Sequence, residues 1–534
     1  MEKSLHAVSP GELWEKWKSI VKPEWKLSFL AALTIALFTH LPMMLSDIPN
    51  HDGLDSLYFD QNMITSGRWF LTVACGFSSY FSIPWVISLI SIFLIALTAV
   101  VLTEFLALKN RYSIVLCSGL LAAFPTVAST FAYVFTMDGY MLALFLAVSA
   151  VLLTAKRRWG FLAGGVCLAF SLGTYQAYLP FAVLLSIYGI LMNAMKEEKI
   201  SVKIKNSLHY LYMGIEGAGL YYIILQLLLW LEGKELASYQ GINSGLDSGT
   251  SLLSGGLVSL VKKIYLDFAA FTAKGNVVYN NGYALTACLV LAVLTIAAVL
   301  ICAKQEKWYK SIWFYLIVLL LAAGLPVATN LILIISPSVT YHLLMRYQWV
   351  LYLILPIAFL DGFCKKQESG PKKKTAAFFS WVTLLAGFVL VFHYMITDNI
   401  AYSNLQKRYE KTYAYCVRLL DRIEQTPGYY QGIPIAMIGV VGDEPYPPTD
   451  LTGKVTSNMI GMNGDFLLYT GRNYELFIKN YLGATLNILE PEVMEEIYDS
   501  PEYREMESFP APDSIRIVDG VLYIKTENME RGES

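Results

Sequence analysis

Charged residues are scarce in this sequence. Asp, Glu, Lys and Arg make up 15% of the 534 residues, whereas 55% are hydrophobic and the mean hydropathy is +0.48. A soluble chain of this length carries far more charge, so the composition indicates a polytopic all-α membrane protein. The net charge of −2 comes without a basic stripe, and nothing suggests a nucleic-acid partner.

Cysteine motifs and a cleavable leader are also lacking. The seven cysteines are scattered, and their spacing fits neither a metal site nor a disulfide framework. The first 26 residues are polar and rich in Trp and Lys, without a short apolar core followed by a small-residue cleavage site. We therefore expect residues 1–26 to form a cytoplasmic segment and the first apolar run to be a retained span.

Long apolar runs occupy most of the first 400 residues. About eleven of them have the length that a bilayer requires, if some are short or tilted. They lie at residues 27–45, 84–107, 112–135, 139–155, 160–175, 177–195, 207–231, 283–303, 311–335, 346–361 and 375–397.

Lys and Arg are distributed unequally between the two ends of these runs. A cytoplasmic N-terminus places the basic loops, such as 156–158 and 372–374, in the cytoplasm. Between the spans, the opposite side receives only Arg68, Lys234, Lys262, Lys263, Lys274 and Arg346. This asymmetry fits the positive-inside rule, and an odd number of spans then places the C-terminal tail outside.

The chain divides into three parts on this basis. A membrane domain at 27–397, with long outer loops at 46–83 and 232–282, follows the N-terminal segment. The tail, 398–534, carries 12 Lys or Arg against 22 Asp or Glu, and its patterns predict a small extracytoplasmic α/β domain. Those patterns are a helix that ends at Pro427, a strand at 433–441, and a hairpin at 515–525 with an Asp-Gly turn.

Apolar spacing also predicts a helix in the second outer loop, over residues 253–271, lying along the membrane surface. No internal repeat is evident, which weakens a transporter interpretation.

The first outer loop holds an unusual polar cluster. Residues 47–69 contain four aspartates, a histidine and an arginine between two apolar runs. Charges at a membrane surface are costly and tend to be functional. Asp52 is the leading candidate for a catalytic base, and Asp55 shares its face if the stretch is helical. The alternative is that Asp52 caps this helix and Asp55 favours its dipole.

The same loop carries a family resemblance. Asp52-Gly53, followed by Met63-Ile-Thr-Ser66-Gly67-Arg68-Trp69, resembles the first outer loop of GT-C glycosyltransferases, which use polyprenyl-phosphate sugars. In the lipid A aminoarabinose transferase branch an Asp-Glu pair stands at the position of Asp52, whereas glycine follows Asp52 here. The wider pattern resembles the type-II glucosyl transferase family, which decorates bacterial O-antigen.

The resemblance implies an inverting transfer of a hexose, glucose by preference, in the bacterial plasma membrane. The donor would be undecaprenyl-phosphate-linked sugar, and the acceptor a surface polysaccharide or its lipid-linked precursor. Asp52 would be the base, and a second acid is expected at Asp138, which the Met-Asp-Gly pattern places in a tight turn. The alternative for Asp138 is a plain turn residue. A divalent cation is possible, although no spacing demands one.

Several residues are candidates for substrate contacts. Arg346 suits a donor phosphate because a guanidinium matches phosphate geometry; its alternative is an interfacial anchor. Arg68 and His342 are weaker candidates of the same kind, whereas His51 is either structural or a group that assists Asp52. Helix packing is the main alternative for the remaining members of the set, Tyr175, Gln176 and the intramembrane Glu216.

Two rival functions stay open. A flippase or other transporter of lipid-linked sugar predicts charges deep in several spans, and only Glu216 is clearly so placed. A polysaccharide polymerase or ligase would rely on outer arginines. Only Arg68 and Arg346 lie between the spans on that side, against many acids, which favours a base-driven transferase.

Overall fold

The computed structural model describes residues 9–54, 63–76, 83–196, 198–237, 256–273, 278–367, 373–438, 459, 467–468 and 470–526. Within these ranges ten helices are long and apolar enough to cross a membrane. Helix Gly160–Thr174 is apolar but shorter. Together they match the eleven predicted spans one for one, and the predicted polytopic all-α fold with a small α/β domain is confirmed.

The helices are numbered here in chain order. Those of the first half are α1 Pro10–Ile20, α2 Pro23–Met44, α3 Leu71–Ala74, α4 Pro84–Leu106, α5 Arg111–Ala123, α6 Pro125–Phe131, α7 Val134–Lys156, α8 Gly160–Thr174, α9 Leu179–Ala194 and α10 Ile200–Glu232. Those of the second half are α11 Gly256–Ala273, α12 Gly282–Gln305, α13 Ile312–Thr329, α14 Ile332–Ile335, α15 Leu351–Gln367, α16 Lys373–Glu424, α17 Gly471–Phe477, α18 Pro491–Tyr498 and α19 Pro501–Arg504.

Proline breaks one predicted span. The run 112–135 is split into α5 and α6 because Phe124, which precedes Pro125, adopts an extended conformation with ψ 134°. The break lies deep in the protein, since nearly all of Arg111–Phe131 is buried. It directs the chain from α6 into the start of α7, which is the part of the membrane domain nearest the candidate site.

Helix α16 joins the membrane domain to the tail. Its 52 residues form one continuous helix, about 78 Å long at 1.5 Å per residue. The sequence explains the length, because neither Gly nor Pro occurs between Gly387 and Pro427. The predicted tail helix is therefore the direct continuation of the last span.

The tail contains a four-stranded sheet that packs on the end of α16. The strands are β1 Pro434–Ile438, β2 Asn487–Ile488, β3 Ile515–Val518 and β4 Val521–Lys525, in the order β2-β1-β4-β3. Strand β1 pairs in parallel with β2 and β4, and β3 pairs with β4 antiparallel. The predicted hairpin is confirmed: Asp519 and Gly520 have φ values of 48° and 81°, as a type I′ turn requires.

The second long loop contains α11, and its predicted helix is confirmed over Gly256–Ala273. Leu257, Val258 and Leu266 are exposed on it, whereas Ile264 is buried against α14. The start of the predicted helix, at 253–255, lies outside the described residues. An apolar exposed face of this kind suits contact with lipid.

Candidate functional site

Asp52 lies where the first loop meets the tail domain. It opens a one-turn 3₁₀ helix, Asp52–Leu54, and its backbone N–H donates to the Asn50 side-chain oxygen at 2.9 Å. Asn50 therefore caps this turn, and its amide also donates to the Ala132 carbonyl at 3.1 Å. The Asp52 carboxylate is more than half exposed. The turn thus holds the Asp52 carboxylate at a largely exposed position.

His51 connects Asp52 to the tail. Its Nε2 lies 3.3 Å from Asp52 Oδ1, and its backbone carbonyl accepts a 3.4 Å hydrogen bond from Asn473 of α17. Burial lowers the pKa of His51; the Asp52 charge opposes this effect, and the Arg408 charge adds to it. At neutral pH the ring is therefore mainly neutral, so that it positions Asp52 without holding a full charge.

The turn at Asp52 is fitted closely to the start of α7. A Cβ on Gly53 would lie 2.8 Å from the ring of Phe135, so this position admits no side chain unless that ring moves. Glycine at this position leaves room for the ring. Asp55, the second predicted carboxylate, lies outside the described residues.

The Ser-Gly-Arg-Trp run forms a tight turn that docks on α8. Gly67 has φ +77°, and a Cβ there would collide with the Tyr221 hydroxyl, which donates to the Gly67 carbonyl at 3.1 Å. Arg68 N–H closes the turn by donating to the Met63 carbonyl at 2.7 Å. Trp69 packs where Gly173 leaves space. The motif thus demands its glycine and its tryptophan for steric reasons.

Gln176 fastens this turn from the other side. Its amide nitrogen donates to the Ser66 carbonyl at 3.3 Å and to the Tyr221 hydroxyl at 3.1 Å. Both contacts are structural, in agreement with the packing alternative. A sugar contact by Gln176 remains a prediction.

Arg68 lies beside a row of tyrosine rings. Its Nε donates to the Ser66 hydroxyl at 2.9 Å, and its positive charge acts electrostatically on Tyr140 and Tyr175. The Tyr140 and Tyr175 rings stack at 4.2 Å, Tyr175 contacts Tyr178 at 5.4 Å, and Tyr178 contacts Tyr347 at 6.3 Å between centroids. The buried hydroxyls of Tyr175 and Tyr178 have no hydrogen-bond partner among the described residues. Such hydroxyls suit an oxygen-rich ligand.

Arg346 is held by a carboxylate that the sequence did not indicate. Its Nη1 and Nη2 donate to the two oxygens of Asp267 in α11 at 2.8 and 2.7 Å. Its Nε and Nη2 also donate to the Tyr341 carbonyl, and the guanidinium stacks 3.7 Å above the Tyr341 ring. Four of its five N–H groups are therefore engaged. The predicted phosphate contact remains a prediction, and the interfacial-anchor alternative does not fit a side chain only 8% exposed.

The other predicted residues are placed separately. Asp138 is not in a turn: it lies in the second turn of α7, 3% exposed, where its Oδ1 accepts from Gly139 N–H at 2.9 Å. The helix continues through Gly139, whose missing side chain leaves room for Cys75. His342 is half-buried and precedes the one-turn helix Leu343–Met345. The Glu216 side chain packs against Gly165 of α8, where a Cβ would lie 2.7 Å from it, as in close helix packing.

Sequence reasoning missed two buried acids, Asp361 of α15, which accepts a 3.3 Å hydrogen bond from the Lys109 backbone N–H, and Asp398 of α16. Asp398 of α16 is fully buried, and neither carboxylate oxygen has a hydrogen-bond partner among the described residues. The nearby Tyr402 hydroxyl donates instead to His40 Nδ1, since His40 Nε2 donates to the Ala122 carbonyl. Asp398 stands one residue beyond the predicted last span, and nothing in its neighbourhood of the sequence distinguishes it from an ordinary tail residue.

No three His, Cys, Asp or Glu side chains gather as a metal site would require, within the described ranges. The expectation of a possible divalent cation therefore has no ligand set there.

An apolar groove runs between α9, α12, α13 and α15. Its volume is about 610 Å³, and its walls include Leu184, Leu325 and Tyr352 near the Asp52 side and Trp313 at the opposite end. Between Ser311 and Leu325 the groove follows α13 for about 21 Å. Tyr352 at its upper end shares a 2.6 Å hydrogen bond with Thr329. The groove has the size and chemistry of a site for a lipid chain.

These features define a polytopic membrane protein in which a tail domain meets an acid-bearing loop and an apolar groove lies between the helices. A family model described as glucosyl transferase GtrII matches residues 41–360. The chain belongs to this family, which confirms the predicted membership and implies a glucosyltransferase with a sugar donor and an acceptor. No curated protein and no solved structure matches the chain. The matched range includes Asp52, Arg68, Asp138 and Arg346 but not α16 or the tail.

Proposed function

We propose that this glucosyltransferase moves glucose from a polyprenyl phosphate to a hydroxyl of a surface polysaccharide or its lipid-linked precursor. The observation that carries the proposal is the placement of Asp52, with its His51 partner, on an exposed turn between the membrane domain and the tail. An acceptor as large as a polysaccharide needs such an open approach.

The chemistry assigned to Asp52 is general-base catalysis. Its carboxylate takes the proton of the acceptor hydroxyl as the hydroxyl oxygen bonds to the anomeric carbon. The bond between that carbon and the phosphate oxygen breaks, and polyprenyl phosphate leaves with the electron pair. A single displacement of this kind inverts the anomeric centre. Asp138, which is buried, and Asp55 are held as secondary candidates.

The donor is assigned to the groove and the tyrosine row. The groove would hold part of the isoprenoid chain, since its walls are apolar and it follows α13 for most of that helix. Arg68 would meet the phosphate, supported by the hydroxyls of Tyr175 and Tyr178. Preorganised cations and hydroxyls stabilise the charge that develops on a leaving phosphate.

Arg346 is proposed as a positioning residue. Its bond to Asp267 ties α11 to the segment that continues into Tyr347 and the upper wall of the groove. Losing the pair would therefore disturb the donor site indirectly. His342, four residues earlier, belongs to the same support.

We also propose the orientation of the chain in a bacterial plasma membrane. The N-terminus and the Lys-rich loops would be cytoplasmic, and Asp52 and the tail would lie outside. The tail and Asp52 share one side, which an odd number of crossings requires.

The test is transfer by the purified protein in liposomes. Undecaprenyl-phosphate glucose labelled in the sugar is supplied with a polysaccharide acceptor, and undecaprenyl-phosphate galactose serves as the matched control donor. We expect labelled acceptor and an equal amount of free undecaprenyl phosphate from the glucose donor only. Movement of intact donor across the membrane without bond cleavage would refute the transferase and support a flippase.

A further inference from the structure

A cluster of aromatic rings lies near the Asp52 turn. Its members are on the tail part of α16 and on the helical segment that begins with α17. The Tyr409 ring contacts Phe477 at 6.1 Å and Tyr481 at 6.0 Å, and Phe477 and Tyr481 stack at 4.9 Å. Tyr413, one turn along α16 and 39% exposed, extends the cluster at 6.3 Å from Tyr409. Tyr409 and Tyr481 are half-buried, so part of each ring remains accessible.

A carboxylate of the first loop acts on these rings through its charge. Burial raises the pKa of Tyr481 and of Tyr409, and the negative charge of Asp47, exposed at the start of the first loop, adds to both effects. The first loop reaches this part of the tail, since Leu54 packs against the same buried cluster as Tyr409 and Tyr481. The rings and the acid come from parts of the chain more than 350 residues apart, joined only by folding.

We propose that Asp47, Tyr409, Tyr413 and Tyr481 form a binding site for the sugar rings of the acceptor glycan. A sugar presents an apolar C–H face that packs on an aromatic ring, and its hydroxyls donate to a carboxylate. One glycan unit can meet both kinds of group here. The inference rests on the proposed function, and it assigns the acceptor to particular residues of the tail.

The site is continuous with the candidate base. Helix α17 carries both Phe477, in the cluster, and Asn473, whose side chain donates to the His51 carbonyl. A glycan held on the rings therefore has its next units beside Asp52. The tail also lies outside the range matched by the family model, as a part that recognises one particular acceptor would.

A membrane surface is the rival occupant, because tyrosines also favour the interface between lipid and water. The charge of the tail argues against it. Residues 398–534 carry 22 acidic against 12 basic side chains, and Asp47 adds another negative charge at the rings. Anionic lipid headgroups would be repelled, whereas an uncharged glycan would not.

The test measures the acceptor KM and direct glycan binding with the purified full-length protein. Oligosaccharides from the surface polysaccharide of the host cell serve as the probe. Tyr481→Leu removes the ring, Tyr481→Phe keeps it, and Asp47→Asn removes only the charge. Tyr430→Leu is the matched control, since Tyr430 is 58% exposed in the same domain but outside the cluster.

We expect Tyr481→Leu and Asp47→Asn to raise the acceptor KM by about three- to tenfold, the size expected for one aromatic or charged contact. The donor KM should stay unchanged, Tyr481→Phe should resemble wild type, and Tyr430→Leu should have no effect. The glycan affinity of Tyr481→Leu and Asp47→Asn, measured by titration calorimetry without donor, should weaken by the same factors.

Three results would overturn the site. The acceptor KM and the glycan affinity could stay unchanged in both variants, Tyr430→Leu could match Tyr481→Leu, or the effect could occur in anionic liposomes and vanish in detergent. The last result would assign the rings to lipid. If wild type binds glycan but transfers no sugar, the proposed function fails while the binding site stands.

Discussion

The pair formed by Arg346 and Asp267 offers a sharp prediction, because the two possible roles of Arg346 give opposite results. The guanidinium is 8% exposed, lies between the rings of Tyr341 and Phe271, and has one carboxylate partner among the described residues. Asp267→Leu leaves this charge buried and uncompensated. Breaking a buried pair from one side costs about 3–5 kcal/mol.

A second variant removes the other partner of the pair, Arg346. Arg346→Met leaves Asp267, which is 25% exposed and still accepts a 3.0 Å hydrogen bond from Asn330, so we expect a smaller loss of about 1–3 kcal/mol. The double variant, Asp267→Leu with Arg346→Met, replaces the pair with apolar groups. Such replacements are neutral or stabilising, so its stability should return to within about 1 kcal/mol of wild type.

Thermal unfolding in detergent measures the stabilities of the two single variants and the double variant. The donor KM of the double variant then decides the role of Arg346. A positioning residue predicts a donor KM within about threefold of wild type once the fold is restored, a difference below 1 kcal/mol. The reasoning is refuted if Asp267→Leu is as stable as wild type. A stable double variant with a donor KM raised more than about tenfold would return Arg346 to the phosphate.

Three further predictions follow from single contacts. Gly67→Ala combines a strained φ with a collision at Tyr221, so it should lower the unfolding free energy by about 1–3 kcal/mol and reduce the rate of sugar transfer. Gly233→Ala, with φ +63° but open surroundings, should show the effect of strain alone in the same unfolding and transfer measurements. The pKa of His51 is lowered from 6.5 on folding, so the unfolded chain takes up the proton first and the stability should decline as pH falls below about 6.5. His51→Gln should flatten that part of the plot of unfolding temperature against pH, and an unchanged plot contradicts this. Asp398→Asn keeps the shape of a buried acid whose oxygens have no hydrogen-bond partner in the described part of the chain. The unfolding free energy should therefore stay within about 1 kcal/mol of wild type or rise, and a large loss would indicate an essential charge.

Local patterns predicted much of the fold. The apolar runs marked every span because hydrophobic length is the main requirement of a bilayer. The Asp519-Gly520 turn and the period of α11 are equally local signals, and the structure has both elements. Asp138-Gly139 misled for the same reason: the dipeptide favours a turn, but in the folded chain both residues lie within α7.

The site depended on contacts that no local pattern contains. Arg346 meets Asp267 across 79 residues, and Asn473 meets the His51 carbonyl across 422. The motif at Met63–Trp69 could be recognised, yet its steric basis in Tyr221 and Gly173 appears only in the folded chain. Asp398 gave no signal, because a single acid at the end of a span is ordinary in sequence.

The most direct measurement compares glucose transfer by wild type and Asp52→Asn in the same liposomes, with Asp138→Asn as the buried-acid comparison. Loss of a general base costs about 10²–10⁴ in rate, so Asp52→Asn should fall at least a hundredfold while the donor KM and expression stay normal. Transfer at the wild-type rate by Asp52→Asn would contradict the account, whichever donor and acceptor are supplied.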